Sequence, residues 1–144
     1  MREILFRGKR VDNGEWVYGL PFKAYSTFYR DYLWTIQHLN KFEIPIAHYD
    51  IVPETIEQYT GLTDKNGTKI FEGDIVKHYN HCQIKEYSED IGRVFYYAET
   101  CRFLRTSKLF PNDCPEMFSG NEYEVIGNIH DNSELLKDGK KNDR

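Results

Sequence analysis

The chain is poor in the residues and patterns that most directly announce chemistry. It has three cysteines, Cys82, Cys101 and Cys114, an odd number without regular spacing. That makes a weak disulfide framework and fits free thiols in a reducing compartment. Only two methionines occur, and no Ala- or Leu-rich run suggests a helical bundle. No apolar stretch approaches the roughly 20 residues of a membrane span, and the first residues lack the apolar core of a signal peptide. The expected location is therefore the cytoplasm, with no membrane partner. Charge of one sign is also lacking. The net charge is −4, and residues 1–72 carry 9 Lys or Arg against 10 Asp or Glu. Residues 73–144 carry 10 against 13. Neither half is a basic module built for sequence-independent phosphate binding, although a local basic patch remains compatible with these numbers.

Aromatic residues are abundant. Eleven Tyr, nine Phe and two Trp make up 15% of the 144 residues. Aromatic and β-branched side chains suit a pleated, half-buried surface, so the chain is expected to be mainly β. Its length suits one domain or two tightly joined subdomains, with enough core to need no staples.

The opening segment Ile4-Leu5-Phe6-Arg7-Gly8-Lys9-Arg10-Val11 alternates as a strand does, with Ile4 and Phe6 facing one way and Arg7 and Lys9 the other. Asn13-Gly14 can fill both left-handed positions of a type I′ turn, and Trp16-Val17-Tyr18-Gly19 returns as its partner. Two strands are expected between Phe22 and Ile36, turning near Asp31, with Tyr32, Trp34 and Ile36 on one face. Pro45 argues against a helix over residues 41–49.

The most regular block is Gln58-Tyr59-Thr60-Gly61-Leu62-Thr63-Asp64-Lys65-Asn66-Gly67-Thr68-Lys69-Ile70-Phe71-Glu72-Gly73-Asp74-Ile75-Val76. It reads as strand, tight turn at Asp64–Gly67, short buried return, and a sharp Gly73-Asp74 corner into another strand. Further strands are expected at residues 92–97, 101–104 and 122–129. Loops fill 81–90 and 106–120, Asn132 or Ser133 caps a short helical turn, and residues 137–144 form a disordered tail. The turn spacings around Gly8, Asn13-Gly14 and Gly19 echo those around Gly61, Asn66-Gly67 and Gly73. Shared turn chemistry accounts for the echo, and an old duplication would leave the same trace.

Each constellation that could carry chemistry has a structural reading beside it. His78-x-x-His81-Cys82 lacks the second ligand pair that zinc needs, so no metal is expected there. The same loop offers no preorganised base for a thiolate at Cys82. Asp64-x-Asn66-Gly67 resembles part of a calcium loop without the helices or the terminal glutamate, and turn chemistry explains it. Glu72 and Asp74 flank a turn glycine, a geometry that does not hold two carboxylates over one substrate. No nucleophile elbow, phosphate-cradling loop or dinucleotide fingerprint is present. Catalytic residues and cofactors are therefore not assigned. The remaining candidate is Arg93, Arg102 and Arg105 with Lys108, interleaved with Tyr96, Tyr97, Phe103 and Phe110. Cations beside stacking rings are what single-stranded nucleic acids use, and the polar outer face of alternating strands would give the same list. Arg2, Arg7, Lys9 and Arg10 form a weaker basic stretch.

Three segments resemble the YopX family of phage and prophage proteins of Gram-positive bacteria. They are residues 4–19, the block from Gln58 to Val76, and Tyr123-Glu124-Val125-Ile126-Gly127-Asn128-Ile129-His130-Asp131-Asn132-Ser133-Glu134-Leu135-Leu136. The matches lie in the family's order, while residues 23–49 and 78–120 carry little recognisable pattern. The resemblance implies a β-rich protein with a small SH3-like barrel in its C-terminal half, and no catalytic residues can be carried over from it. The expectation is an N-terminal β-meander over residues 1–72 and an SH3-like barrel over 73–136, packed as one unit. The expected role is a non-enzymatic phage accessory protein that self-associates or binds another protein, with nucleic-acid binding through Arg93, Arg102 and Arg105 as the alternative.

Overall fold

The structure, a computed structural model, describes residues 3–79, 89–113, 115, 117 and 119–137. The fold is mainly β, as the aromatic and β-branched content requires. Ten strands run through the described residues: β1 (Phe6–Lys9), β2 (Trp16–Ser26), β3 (Asp31–Leu39), β4 (Pro45–Asp50), β5 (Glu57–Thr63), β6 (Lys69–Phe71), β7 (Asp74–Tyr79), β8 (Glu89–Tyr97), β9 (Arg102–Arg105) and β10 (Tyr123–Asn128). Two short 3-10 turns, Pro53–Thr55 and Ser133–Leu136, complete the regular structure. Among the described residues no helix is long and apolar enough to cross a membrane.

The chain divides into two compact units, Met1–Tyr59 and Thr60–Arg144. The break falls inside β5, thirteen residues before the Glu72-Gly73 corner at which the sequence alone suggests dividing it.

In the first unit the antiparallel strand order is β4-β3-β2-β1-β5. The sheet also curls back on itself. Arg10 bridges Ile51, the Val11 N–H donates to the Asp50 carbonyl at 2.9 Å, and the Val52 N–H donates to the Lys9 carbonyl at 2.9 Å. Ile36 and Ile51 fill the interior of this curl, with Gly8 leaving room for Ile51. On the other face of β1, Arg7 is buried and donates from Nε and Nη2 to Glu57 Oε2 at 2.8 and 2.7 Å, with its guanidinium 4.5 Å from the Trp16 ring centre. A buried charge survives only with such a partner.

The first hairpin forms where expected but with a different turn. Gly14 has φ 70°, whereas Asn13 is not among the non-glycine residues with positive φ, so a type I′ turn is excluded. The loop is longer: Arg10 N–H donates to the Glu15 carbonyl at 2.9 Å and Gly14 N–H donates back to the Arg10 carbonyl at 3.0 Å. The Asn13 side chain accepts the Glu15 N–H at 3.0 Å instead of taking a left-handed backbone. β2 then runs straight through Gly19, pairing first with β1 and then with β3.

In the second unit the remainder of β5 pairs with β6, and a four-stranded antiparallel sheet has the order β10-β7-β8-β9. Residues opposite one another across a ladder share a face, and neighbours along a strand alternate. One face therefore carries Val76, His78, Asp90, Val94, Arg105, Phe103, Tyr123 and Val125. Its apolar members Val76, Val94 and Tyr123 pack with Ile70 and Met117 into the core of the unit. The register shifts between Val125 and Gly127, so Ile129 does not continue the face of Tyr123 and Val125 as strict alternation would have it. Asn132 flanks the last 3-10 turn without capping it, since its Oδ1 accepts the Asn128 N–H at 3.2 Å.

β8 and the backbone just after β9 meet closely at Gly92, where a Cβ atom would lie 1.7 Å from the Thr106 carbonyl oxygen. Because that neighbour is backbone, it cannot swing aside. Gly92→Ala is expected to lower the stability of the chain by ~1–3 kcal/mol, read as an earlier midpoint in urea unfolding at unchanged slope. An unchanged midpoint would show that the two segments are not this close.

Candidate functional site

The three arginines singled out by the sequence do not stay together. Arg93 and Arg102 are exposed and share the face of the β8–β9 ladder that also carries Phe95 and Tyr97. Arg105 lies on the opposite, core-facing side, opposite Val94, and is only 4% exposed. Lys108 is held by its Nζ, which donates to the Lys137 carbonyl at 3.0 Å. The ring pair Tyr96–Phe103, with centroids 5.2 Å apart, is on the same side of the ladder as Arg105.

Arg105 turns inward because Asp90 waits for it. Asp90 is 2% exposed and sits on β8, where the sequence suggested only the end of a polar loop. Its Oδ2 accepts from Arg105 Nη1 at 2.6 Å and from Ser107 Oγ at 2.6 Å. Its Oδ1 accepts the backbone N–H groups of Lys108 at 2.9 Å and Leu109 at 3.2 Å. Burial alone would push this carboxyl up. The hydrogen bonds from Ser107, Arg105 and Leu109, with the Arg105 charge, outweigh burial and hold it below the ordinary aspartate value.

The network continues toward the surface. Arg105 Nη2 lies 3.4 Å from His78 Nδ1, and His78 Nε2 lies 3.2 Å from Glu122 Oε2. A guanidinium only donates, so Nδ1 must accept and Nε2 must carry the hydrogen that reaches Glu122. Glu122 and Asp90 thus close the two ends of one chain of polar groups, with the Tyr123 ring packed 4.9 Å from the imidazole. His78 is accordingly committed to this network, while His81, Cys82 and Cys114 lie outside the described residues. Among the described residues no group of three or more His, Cys, Asp or Glu could hold a metal ion.

The other polar motifs are occupied by backbone. Asp64 Oδ1 accepts the N–H groups of Asn66 and Thr68, each at 2.9 Å, and Oδ2 accepts that of Val125 at 2.9 Å. Asp74 is 1% exposed and accepts the Phe71 N–H at 2.8 Å, so it does not face Glu72 across a site. The basic stretch of the first hairpin is likewise dispersed. Arg7 is buried on Glu57, Arg10 pairs with Asp12, and Lys9 lies 5.4 Å from the Trp16 ring centre. Arg2 lies outside the described residues.

What the first unit does expose is aromatic. Beyond the rung Lys23↔Trp34, β2 and β3 continue as a two-stranded ribbon through Tyr25↔Tyr32 to a turn at residues 27–30. β1 pairs with β2 only as far as Gly19, and β4 pairs with β3 only from Thr35. β1 and β4 therefore do not pair with these outer rungs, although Tyr29 lines an open cavity with Arg10, Val11, Asp12, His48, Tyr49 and Asp50. Tyr25 and Tyr32 meet edge-on at 5.3 Å, and Phe28 and Tyr29 do so at 4.9 Å at the tip. Phe28 is 84% exposed. The signal was present in the run Tyr25-Ser26-Thr27-Phe28-Tyr29-Arg30-Asp31-Tyr32, but alternation reports a strand without saying where its neighbours stop.

At the far end of the same strands lies an open cleft of about 400 Å³ lined by Ile4, Leu5, Tyr18, Leu20, Leu39 and Glu43. Further apolar side chains, Phe42, Ile44 and Ile46, are exposed at the β3–β4 turn and on β4.

These features define an all-β protein whose buried ionisable groups are tied into the framework and whose exposed surface is rich in apolar rings. The chain belongs to the YopX protein family, whose model matches residues 5–137. It is similar to the crystal structure of protein EF1440 from Enterococcus faecalis, with a TM-score of 0.55 and 25% identity over 95% of this chain and 100% of that one. No curated protein matches it.

The Asp90 node makes two linked predictions. Asp90→Asn removes the charge opposite buried Arg105 and is expected to cost ~3–5 kcal/mol in urea unfolding near pH 7. The folded-state value of Asp90 lies below its unfolded value of about 3.9, so its stabilisation is complete above that value and is lost as pH falls through the folded one. Wild-type stability should therefore drop below about pH 4 more steeply than that of Asp90→Asn; parallel pH profiles would refute the assignment.

Proposed function

We propose that this protein is a non-enzymatic accessory protein that acts by self-association or by binding another protein. The observation that carries this reading is the ribbon of β2 and β3 beyond the reach of β1 and β4 pairing, with Tyr25, Phe28, Tyr29 and Tyr32 all exposed at 55% or more. Aromatic rings are enriched where proteins meet, because they bury much area at little entropic cost. The phage or prophage setting implied by the family resemblance supports action in the cytoplasm of a bacterial host. The antiparallel order β10-β7-β8-β9 is what supports reading the second unit as an SH3-like interaction module.

A second reading rests on Arg93 and Arg102, which share one ladder face with Phe95 and Tyr97. Two cations beside two rings could contact a single strand by stacking and ion pairing, without Arg105. A net charge of −4 opposes it, since sequence-independent binding draws on a positive field.

Light scattering on the eluting protein should give a mass that is a multiple of the 17.2 kDa chain and rises with concentration. A strict monomer that also recovers no protein from prophage-induced cells would contradict the leading reading. Binding of a labelled single strand that weakens with salt and is lost in Arg93→Ala/Arg102→Ala would favour the second reading; no binding at physiological salt would remove it.

A further inference from the structure

The ribbon tip and the apolar cleft lie at opposite ends of the first unit, and each has what the other needs. The tip presents Phe28, 84% exposed, braced edge-on by Tyr29 at a centroid distance of 4.9 Å. The cleft offers about 400 Å³ between Ile4, Leu5, Tyr18, Leu20 and Leu39. A cavity of ~150 Å³ is enough to admit a benzene ring, so a phenyl ring enters this one with room for the edge of a second. Charge agrees with shape. Arg30 follows directly on the tip rings, while Glu43 lines the cleft, and both are exposed.

A tip cannot reach the cleft of its own chain. β3 runs from Asp31 beside the tip to Leu39 in the cleft, nine residues that span ~27 Å at the usual rise of an extended strand. The match must be made between two chains, and it uses two different patches. Two different patches can meet head to tail, closing into a ring or growing into a filament, or reciprocally across a two-fold axis with each tip in the other's cleft.

We propose that copies of this chain associate head to tail, with the Phe28 tip of one seated in the Ile4–Leu20–Leu39 cleft of the next and Arg30 paired with Glu43. This rests on the self-association reading above and names its partner as a second copy and its surfaces as tip and cleft. Other interfaces, such as the exposed side chains Phe42, Ile44 and Ile46, would produce association that ignores both patches.

The test mixes two surface variants of the full chain, Phe28→Asp at the tip and Leu20→Asp in the cleft, each checked for an unchanged far-UV spectrum. Each alone should run as a monomer by light scattering. An equimolar mixture should form a one-to-one dimer and no larger species, since only one productive contact remains. As a second arm, Arg30→Glu and Glu43→Arg should each weaken association at least fivefold, and the double variant should regain it. If Leu20→Asp fails to fold, this exchange pair decides alone. A wild type that stays monomeric at all concentrations overturns the self-association reading and this proposal with it. A wild type that associates, with tip and cleft variants unaffected, overturns this proposal alone. Monomeric variants whose mixture stays monomeric would also overturn it, because an intact tip and an intact cleft are then both present and do not pair.

Discussion

One carboxylate organises the second unit. Asp64 receives three backbone N–H groups, two from its own turn and one from Val125, 61 residues further along the chain. Each bond alone is modest, but a buried N–H left without an acceptor costs ~1–3 kcal/mol. The turn and β10 are therefore fixed by the same two oxygen atoms. Around them the chain doubles the tie: Lys65 N–H donates to the Tyr123 carbonyl at 3.0 Å, and Lys65 Nζ lies 3.4 Å from Glu124 Oε2. Tyr79 completes the cluster, with its hydroxyl donating to Glu124 at 2.6 Å and Lys65 Nζ 3.9 Å from its ring centre. Burial works against the Asp64 charge, and the Val125, Thr68 and Asn66 N–H groups together with Lys65 overcome it, leaving its carboxyl below the ordinary range. The block from Gln58 to Val76 and the segment from Tyr123 to Leu136 meet at this residue.

The same economy runs through the molecule. Arg7 and Glu57, Arg105 and Asp90, and Asp74 with the Phe71 N–H are buried groups that hold strands in register. Residues that look reactive as types are, in place, engaged by backbone and by each other, with Arg105 Nε the one buried side-chain nitrogen or oxygen left without a hydrogen bond among the described residues. Large rings, by contrast, are left exposed on a ribbon whose outer rungs β1 and β4 do not pair with. Exposed aromatic surface is unfavourable in water unless something covers it, and the proposed interaction role rests on that imbalance.

Much of this architecture was legible in local sequence. Asn13-Gly14 and Asn66-Gly67 marked turns, alternation marked β1, the run from Gly92 to Tyr97 marked most of β8, and Gly73 marked the corner into β7, with a φ of 76°. What was not legible was non-local. Asp90 sat next to a polar run and read as loop, because its partner Arg105 is 15 residues away on another strand. Arg105 read as surface for the same reason: an alternating pattern cannot tell a solvated cation from one that answers a buried carboxylate. The Asn13 turn was misjudged because Arg10 is also committed to Ile51 across the curl, which lengthens the loop beyond two residues. The extent of the aromatic ribbon depends on where β1 and β4 end, a property of their pairing rather than of residues 22–34.

The most direct test of Asp64 as the common anchor is hydrogen exchange read amide by amide in the wild type and in Asp64→Ala. The account predicts that the Asn66, Thr68 and Val125 amides are protected together in the wild type and lose protection together in the variant, with Val125 falling as far as Thr68. Retained protection at Val125 while Thr68 exchanges freely would show that β10 is held by its own ladder, and that Asp64 organises only its turn.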